Sequence, residues 1–212
     1  MSIQWYRRAG FRIVDTFPNS EPMPATNSAT SWGWVARLLH WGMAGLILYQ
    51  LTLGFYMANF VEDLFRQFQL TQTHKSWGFV IFALAVARAG WRLASPRGPV
   101  APAHLPRWQA RAAAATHGLL YVLILVVPLS GWVYVSASPL QDLLGIENTV
   151  FGLFAMPDPW QPGNAAVANV ARTVHGAGAV LMTLILALHA GAAIKHHLVD
   201  RDDVLRRMTW GR

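Results

Sequence analysis

Apolar residues dominate four long stretches of the chain, at about Trp34–Met57, Ser76–Leu93, Ala110–Val135 and Val170–Ile194. Polar, proline-rich or charged segments divide them. A helix needs roughly 17 to 25 apolar residues to cross a bilayer, so the pattern predicts four transmembrane helices. The second run is near the lower bound. It carries Arg88, whose long side chain can snorkel toward the interface from near the helix end. None of the runs reads as a cleaved signal. The first begins after more than 30 residues and is too long for a signal h-region. The expected fold is all-α, an integral-membrane four-helix bundle in contact with lipid.

The segments between the runs have distinct characters. Residues 1–30 form an N-terminal extension and linker. Trp5, Tyr6, Phe11 and Phe17 alternate there with Arg7, Arg8 and Arg12, a mixture that suits a membrane interface or a partner's surface. The following PNSEPMPATNSATS reads as the linker. Residues 31–197 make up the membrane domain and 198–212 a basic tail. Ala58–Thr73 and SPRGPVAPAHLPRWQAR read as connections, which places His74 at the start of the second helix. The longest connection, about Ser136–Asn169, holds enough Leu, Ile, Val and Phe to form a short surface helix or to cap a site. Pro128 and Gly131 predict a kink in the third helix.

Composition narrows the class. The chain is 54% hydrophobic and 13% charged, against about a quarter charged in soluble domains. With no cysteine, disulfides, iron–sulfur clusters and thiolate zinc sites are excluded. The net charge of +7 points to membrane topology and not to nucleic acid, because the basic residues cluster between apolar runs. Of the 17 Lys and Arg, all but Arg66, Lys75 and Arg172 lie with the N-terminus, the loop between helices two and three, and the C-terminus. The positive-inside rule then puts both termini of this multi-pass chain in the cytoplasm; in a bacterial-type cell that means the inner membrane, with the two other loops facing the periplasm.

Histidine carries the chemistry. His175 and His189 lie in the fourth run, 14 residues apart. On a helix that spacing leaves them within about 40° of one face and about 21 Å apart along the axis. One helix thus presents an imidazole near each side of a bilayer whose core is about 30 Å thick. His74 matches the depth of His175. His40 and His117 both match the depth of His189, so the second level has two candidate partners. His104, His196 and His197 read as solvated or interfacial. Intramembrane ionisable groups are uncommon and usually functional. The spans contain no carboxylate to complete a zinc site, whereas haem needs one or two axial ligands. Gly42, Gly45, Gly78, Gly176, Gly178 and Gly191 follow these histidines and would allow close backbone approach. Arg37, Arg88 and Arg92 at one side and Lys75 at the other are candidates to pair with haem propionates.

These residues together resemble the bacterial cytochrome b561 family, small four-helix di-haem b membrane proteins. RLLHW at 37–41, HKSWG at 74–78 with Arg88 and the WR at 91–92, His117 with Pro128 and Gly131, and His175, His189 and the trailing KHH carry the resemblance, over about Ser31 to Arg207. It implies two haem b groups, one held by His74 and His175 and the other by His40 and His189. His117 is the alternative ligand or a quinone-side residue. It also implies electron transfer between a periplasmic-side partner and a quinone such as ubiquinone, with a superoxide:quinone oxidoreductase branch. The second reading is a non-catalytic cytochrome subunit of a larger redox complex, with residues 1–30 as the docking arm. A third, a cofactor-free transport or scaffold bundle, would lack a b-type spectrum.

Overall fold

A computed structural model describes residues 24–95, 97–100 and 105–209. The aromatic and basic stretch at 1–23 and His104 lie outside the described residues. Four long helices run α1 (Trp34–Asn59), α2 (Leu64–Ala94), α3 (Arg107–Ser136) and α5 (Ala165–Lys195), each long and apolar enough to cross a membrane. Short connections make successive helices antiparallel. A short helix α4 (Pro139–Leu144) and a hairpin of β1 (Thr149–Val150) and β2 (Phe154–Ala155) fill the connection from α3 to α5. Past α5 the chain makes one π-helical turn (His196–Asp200) and a last helix α6 (Val204–Met208). The hairpin marks one end of the bundle. The two described ends of the chain share the other, called here the terminal end.

The long helices outrun the apolar stretches that predict them. The largest difference is α2, which begins at Leu64 and not near Ser76. Asp63 caps it by accepting from the backbone N–H of Arg66 at 2.7 Å. The added turns, LFRQFQLTQT, are good helix formers but too polar to join a hydropathy run. His74 and Lys75 therefore sit about three turns inside α2, not at its start.

The packing explains where space for a site arises. α3 lies along α5, α1 along α2, and α2 along α3, whereas the backbones of α1 and α2 stay further from α5. A central cluster of Met43, Ala85, Leu123, Ile124 and Met182 closes the middle of the bundle. Met182 is midway between His175 and His189, so this plug divides the interior into two levels.

Each end is tied shut by polar contacts. At the hairpin end, Ser76 accepts from the N–H of Phe151 at 2.9 Å. Phe151 has φ of 50°, costly for a non-glycine residue. Its ring also meets Trp77 edge-on at 5.1 Å. Asn148 donates to Asp158 at 2.6 Å and Trp132 donates to the carbonyl of Pro157 at 3.1 Å. The long connection therefore caps the bundle, one of its two predicted roles. At the terminal end, Asn27 accepts from the N–H of Gly33 and Ala29 accepts from the N–H of Val100, so residues 24–33 pack on the loop that follows α2.

The C-terminal segment turns back as a hook. His196 Nδ1 donates to Asp202 Oδ2 at 2.7 Å, and Asp202 Oδ1 accepts from the N–H of Val204 at 3.0 Å. The tip is fixed to α1, where the Trp41 indole donates to the carbonyl of Met208 at 2.9 Å and Arg37 to that of Thr209 at 3.3 Å. His196, read from the sequence as solvated or interfacial, thus also has a structural partner. Asp202→Ala removes both bonds at once. At about 1–3 kcal/mol for such a loss, trypsin cleavage at Arg201 of the folded protein is expected to accelerate about tenfold, read by timed digestion and mass spectrometry.

Candidate functional site

The bundle brings five histidines together at two levels. At the hairpin end, His74 of α2 faces His175 of α5 with ring centroids 6.0 Å apart. At the terminal end, His40 of α1 faces His189 of α5 at 6.1 Å, and His117 of α3 approaches His189 at 5.1 Å. Both facing pairs reach α5 from α1 or α2, the helices whose backbones hold off from it. The 14-residue spacing on α5 does what helical geometry requires and supplies one imidazole per level.

These distances can be tested against a metal between each pair. A metal–imidazole bond of about 2.0 Å and about 1.1 Å from nitrogen to ring centre would put two ring centroids on opposite sides of one metal about 6.2 Å apart. Both facing pairs match. The His117–His189 pair is about 1 Å too short for that arrangement, and His117 is an exposed residue.

Hydrogen bonds decide which ring nitrogen is available. His175 Nδ1 donates to the carbonyl of Val127 at 2.8 Å. Its proton is thereby held on Nδ1, and Nε2 keeps a lone pair for a ligand, the usual arrangement of a metal-binding histidine. The acceptor lies just before Pro128 in α3. Gly131, one turn on, makes room for the ring. A Cβ at Gly131 would sit 2.8 Å from His175 Nδ1 and 2.9 Å from Cε1. His74 is seated in a similar way against Gly54 of α1, where a Cβ would lie 3.3 Å from Cε1. Neither Gly54 nor Gly131 is among the glycines the sequence marks as cofactor-facing. A Cβ added at Gly42, Gly45, Gly176 or Gly191 would meet nothing within 4 Å, and one at Gly78 would meet only the Gln50 amide, at 3.8 Å.

The basic residues separate by what they touch. Arg88 reaches the terminal-end site itself. Its Nη2 lies 3.0 Å from His40 Nδ1, and its guanidinium stands 5.6 Å from the centre of the Tyr121 ring. A cavity of about 60 Å³ opens here, lined by His40, Arg88, His117, Tyr121, Met182 and His189 among others. Arg37 is buried and directed to the C-terminal hook. Arg92 lies over the Trp32 ring at 5.7 Å. Lys75 is half-buried next to His74.

One residue escapes the sequence reading. Gln50, about two thirds of the way along α1, is buried, and its Nε2 donates to the backbone carbonyl of His74 at 2.8 Å. A lone amide inside a long apolar run is a signal that hydropathy averages away, although intramembrane polar groups are worth singling out.

Comparison with known proteins agrees with this architecture. The profile of the prokaryotic cytochrome b561 family matches residues 31–211. Cytochrome b561 homolog 2 of Escherichia coli (strain K12) is 30% identical over 193 residues, covering 88% of this chain and 95% of that protein. Cytochrome b561 homolog 1 of the same organism is 28% identical, covering 66% and 74% respectively. The probable superoxide oxidase CybB of Yersinia pestis is 30% identical over 64% of this chain and 72% of its own length. Four membrane-spanning helices and a match that runs from the first of them to the C-terminal hook place this chain in the prokaryotic cytochrome b561 family, haem b proteins of transmembrane electron transfer.

Proposed function

We propose that the chain binds two haem b groups and passes single electrons along α5, between a partner at the hairpin end and the quinone pool. His74 and His175 hold one haem, and His40 and His189 the other. The observation that carries this reading is the pair of facing imidazoles at each level, 6.0 and 6.1 Å apart, with α5 common to both. When bound, each haem would supply a one-electron iron couple, and two histidines available to each suit electron transfer rather than oxygen binding.

Arg88 has a defined part in this scheme. A guanidinium only donates, so its bond requires a lone pair on His40 Nδ1 and, in the neutral ring, a proton on Nε2. Ligation through Nε2 and the Arg88 bond therefore exclude each other. For His40 to ligate through Nε2, Arg88 would have to release it, which would free the guanidinium charge for a propionate. Lys75 is the corresponding cation at the hairpin level. Arg37 and Arg92 support the same end as Arg88 indirectly, through the hook and Trp32.

The distribution of charge suggests orientation and partner. The hairpin side carries Arg66, Lys75 and Arg172 against Glu62, Asp63, Asp142, Glu147 and Asp158, net −2. The positive-inside rule places this side in the periplasm and both termini in the cytoplasm. An acidic face suits a neutral or cationic electron donor better than a small anion. A superoxide:quinone activity is the second reading, favoured by the likeness to the probable superoxide oxidase CybB of Yersinia pestis. Purified protein is expected to show a b-type reduced-minus-oxidised spectrum and about two haems per chain by pyridine haemochrome. One haem per chain, or none, would overturn the proposal. Superoxide-dependent quinone reduction abolished by His74→Ala would establish the second reading.

A further inference from the structure

Gln50 has its side-chain NH2 group engaged and its carbonyl oxygen idle. Its Nε2 donates to the carbonyl of His74, while its Oε1 is buried without a hydrogen-bond partner among the described residues. Gln50 is 9% exposed. The facing ring has the complementary need. His74 Nδ1 is also buried without a partner among the described residues, in contrast to His175 Nδ1 on the carbonyl of Val127. A histidine that ligates through Nε2 carries its proton on Nδ1 and almost always donates it. An idle acceptor and an idle ring nitrogen thus lie on two residues already joined by the Gln50–His74 bond, in a place where an unmet polar group is costly.

We infer that Gln50 is the positioning residue of His74, accepting the Nδ1 proton through one bridging water while its own amide fixes the α2 backbone. A buried water with two or more polar partners is a normal structural component, and here each atom gains the bond it lacks. Gly54, one turn from Gln50 on α1, seats the same ring. α1 therefore does for His74 what Val127 and Gly131 of α3 do for His175. The consequence is redox tuning. An acceptor on Nδ1–H makes the imidazole a stronger donor to iron and favours the oxidised metal.

This rests on His74 as a haem ligand, and the test separates the two. In the full-length detergent-purified protein, Gln50→Leu should retain both haems and raise the midpoint potential of the His74 haem. Losing one hydrogen bond changes its reduced-to-oxidised ratio about three- to tenfold at fixed potential, where tenfold is about 59 mV for one electron. Gln50→Glu keeps an acceptor and should lower that potential. The other haem stays unmoved in both variants and serves as the internal reference. A potential unchanged in both variants, or loss of the haem from both, would overturn the inference. If His74→Ala still binds two haems, the ligand assignment itself fails.

Discussion

His189→Ala is expected to cut the haem content from about two per chain to about one, and His40→Ala to remove that same haem, whereas His117→Ala keeps both. The order follows from geometry. His40 and His189 stand at 6.1 Å, close to the separation an iron imposes on two axial rings, while His117 approaches His189 at 5.1 Å from an exposed position on α3. Redox titration of the single variants identifies which centre is lost, because His74→Ala and His175→Ala should leave the His40–His189 centre titrating alone. Loss of a haem in His117→Ala with retention in His40→Ala would reverse the assignment. In that case the Arg88–His40 bond would be permanent, and His40 would act as a fixed polar neighbour of the site.

The helices and the two histidine levels are legible in the sequence because both are properties of a single segment. Hydropathy finds a span without knowing its neighbours, and a 14-residue spacing fixes two rings on one face wherever the helix packs. The pairing of His74 with His175 is legible for the same reason, since depth leaves no competitor. What stays hidden depends on residues far apart in sequence. Arg37 reads as a propionate partner from its place near His40, yet it reaches Thr209, 172 residues away. Arg92 has the right depth, and its contact is Trp32, beside a segment that reads as linker. The start of α2 is hidden because its first turns are polar, and a capped helix end at Asp63 is invisible to hydropathy. Gly131 is visible only as a companion of the Pro128 kink.

The structure also gives Pro128 a context. Proline has no N–H to donate into the helix ladder, and it stands inside α3 next to the Val127 carbonyl that takes a bond from another helix. Ser130 Oγ donates to that carbonyl as well, at 2.9 Å. The accepting carbonyl and the small residue one turn on thus form one device for holding His175. The two hairpin-level histidines are held differently, one by backbone of α3 and one against α1. They can therefore be perturbed independently.

Gly131→Ala tests that device and should have an effect as large as loss of a ligand. The added methyl would stand 2.8 Å from His175 Nδ1 and 2.9 Å from Cε1, well inside contact distance. Neither neighbour can yield cheaply. The ring is bound to Val127 on the same helix as Gly131, and α3 and α5 pack closely along their length. Overpacking of this kind costs about 1–3 kcal/mol, and relieving it by rotating His175 breaks the Nδ1 bond and changes how the ring stands against His74. The His74–His175 haem is expected to be lost or to fall to a small fraction, with the other retained, as read by haemochrome stoichiometry and redox titration. Gly191→Ala is the control. It lies two residues from His189 on the same helix as His175, but a methyl there meets nothing within 4 Å. Both haems should survive it. If Gly131→Ala binds two haems with unchanged potentials, the ring is not seated against α3. If Gly191→Ala loses a haem, any added methyl on these helices is harmful and the argument from close approach fails.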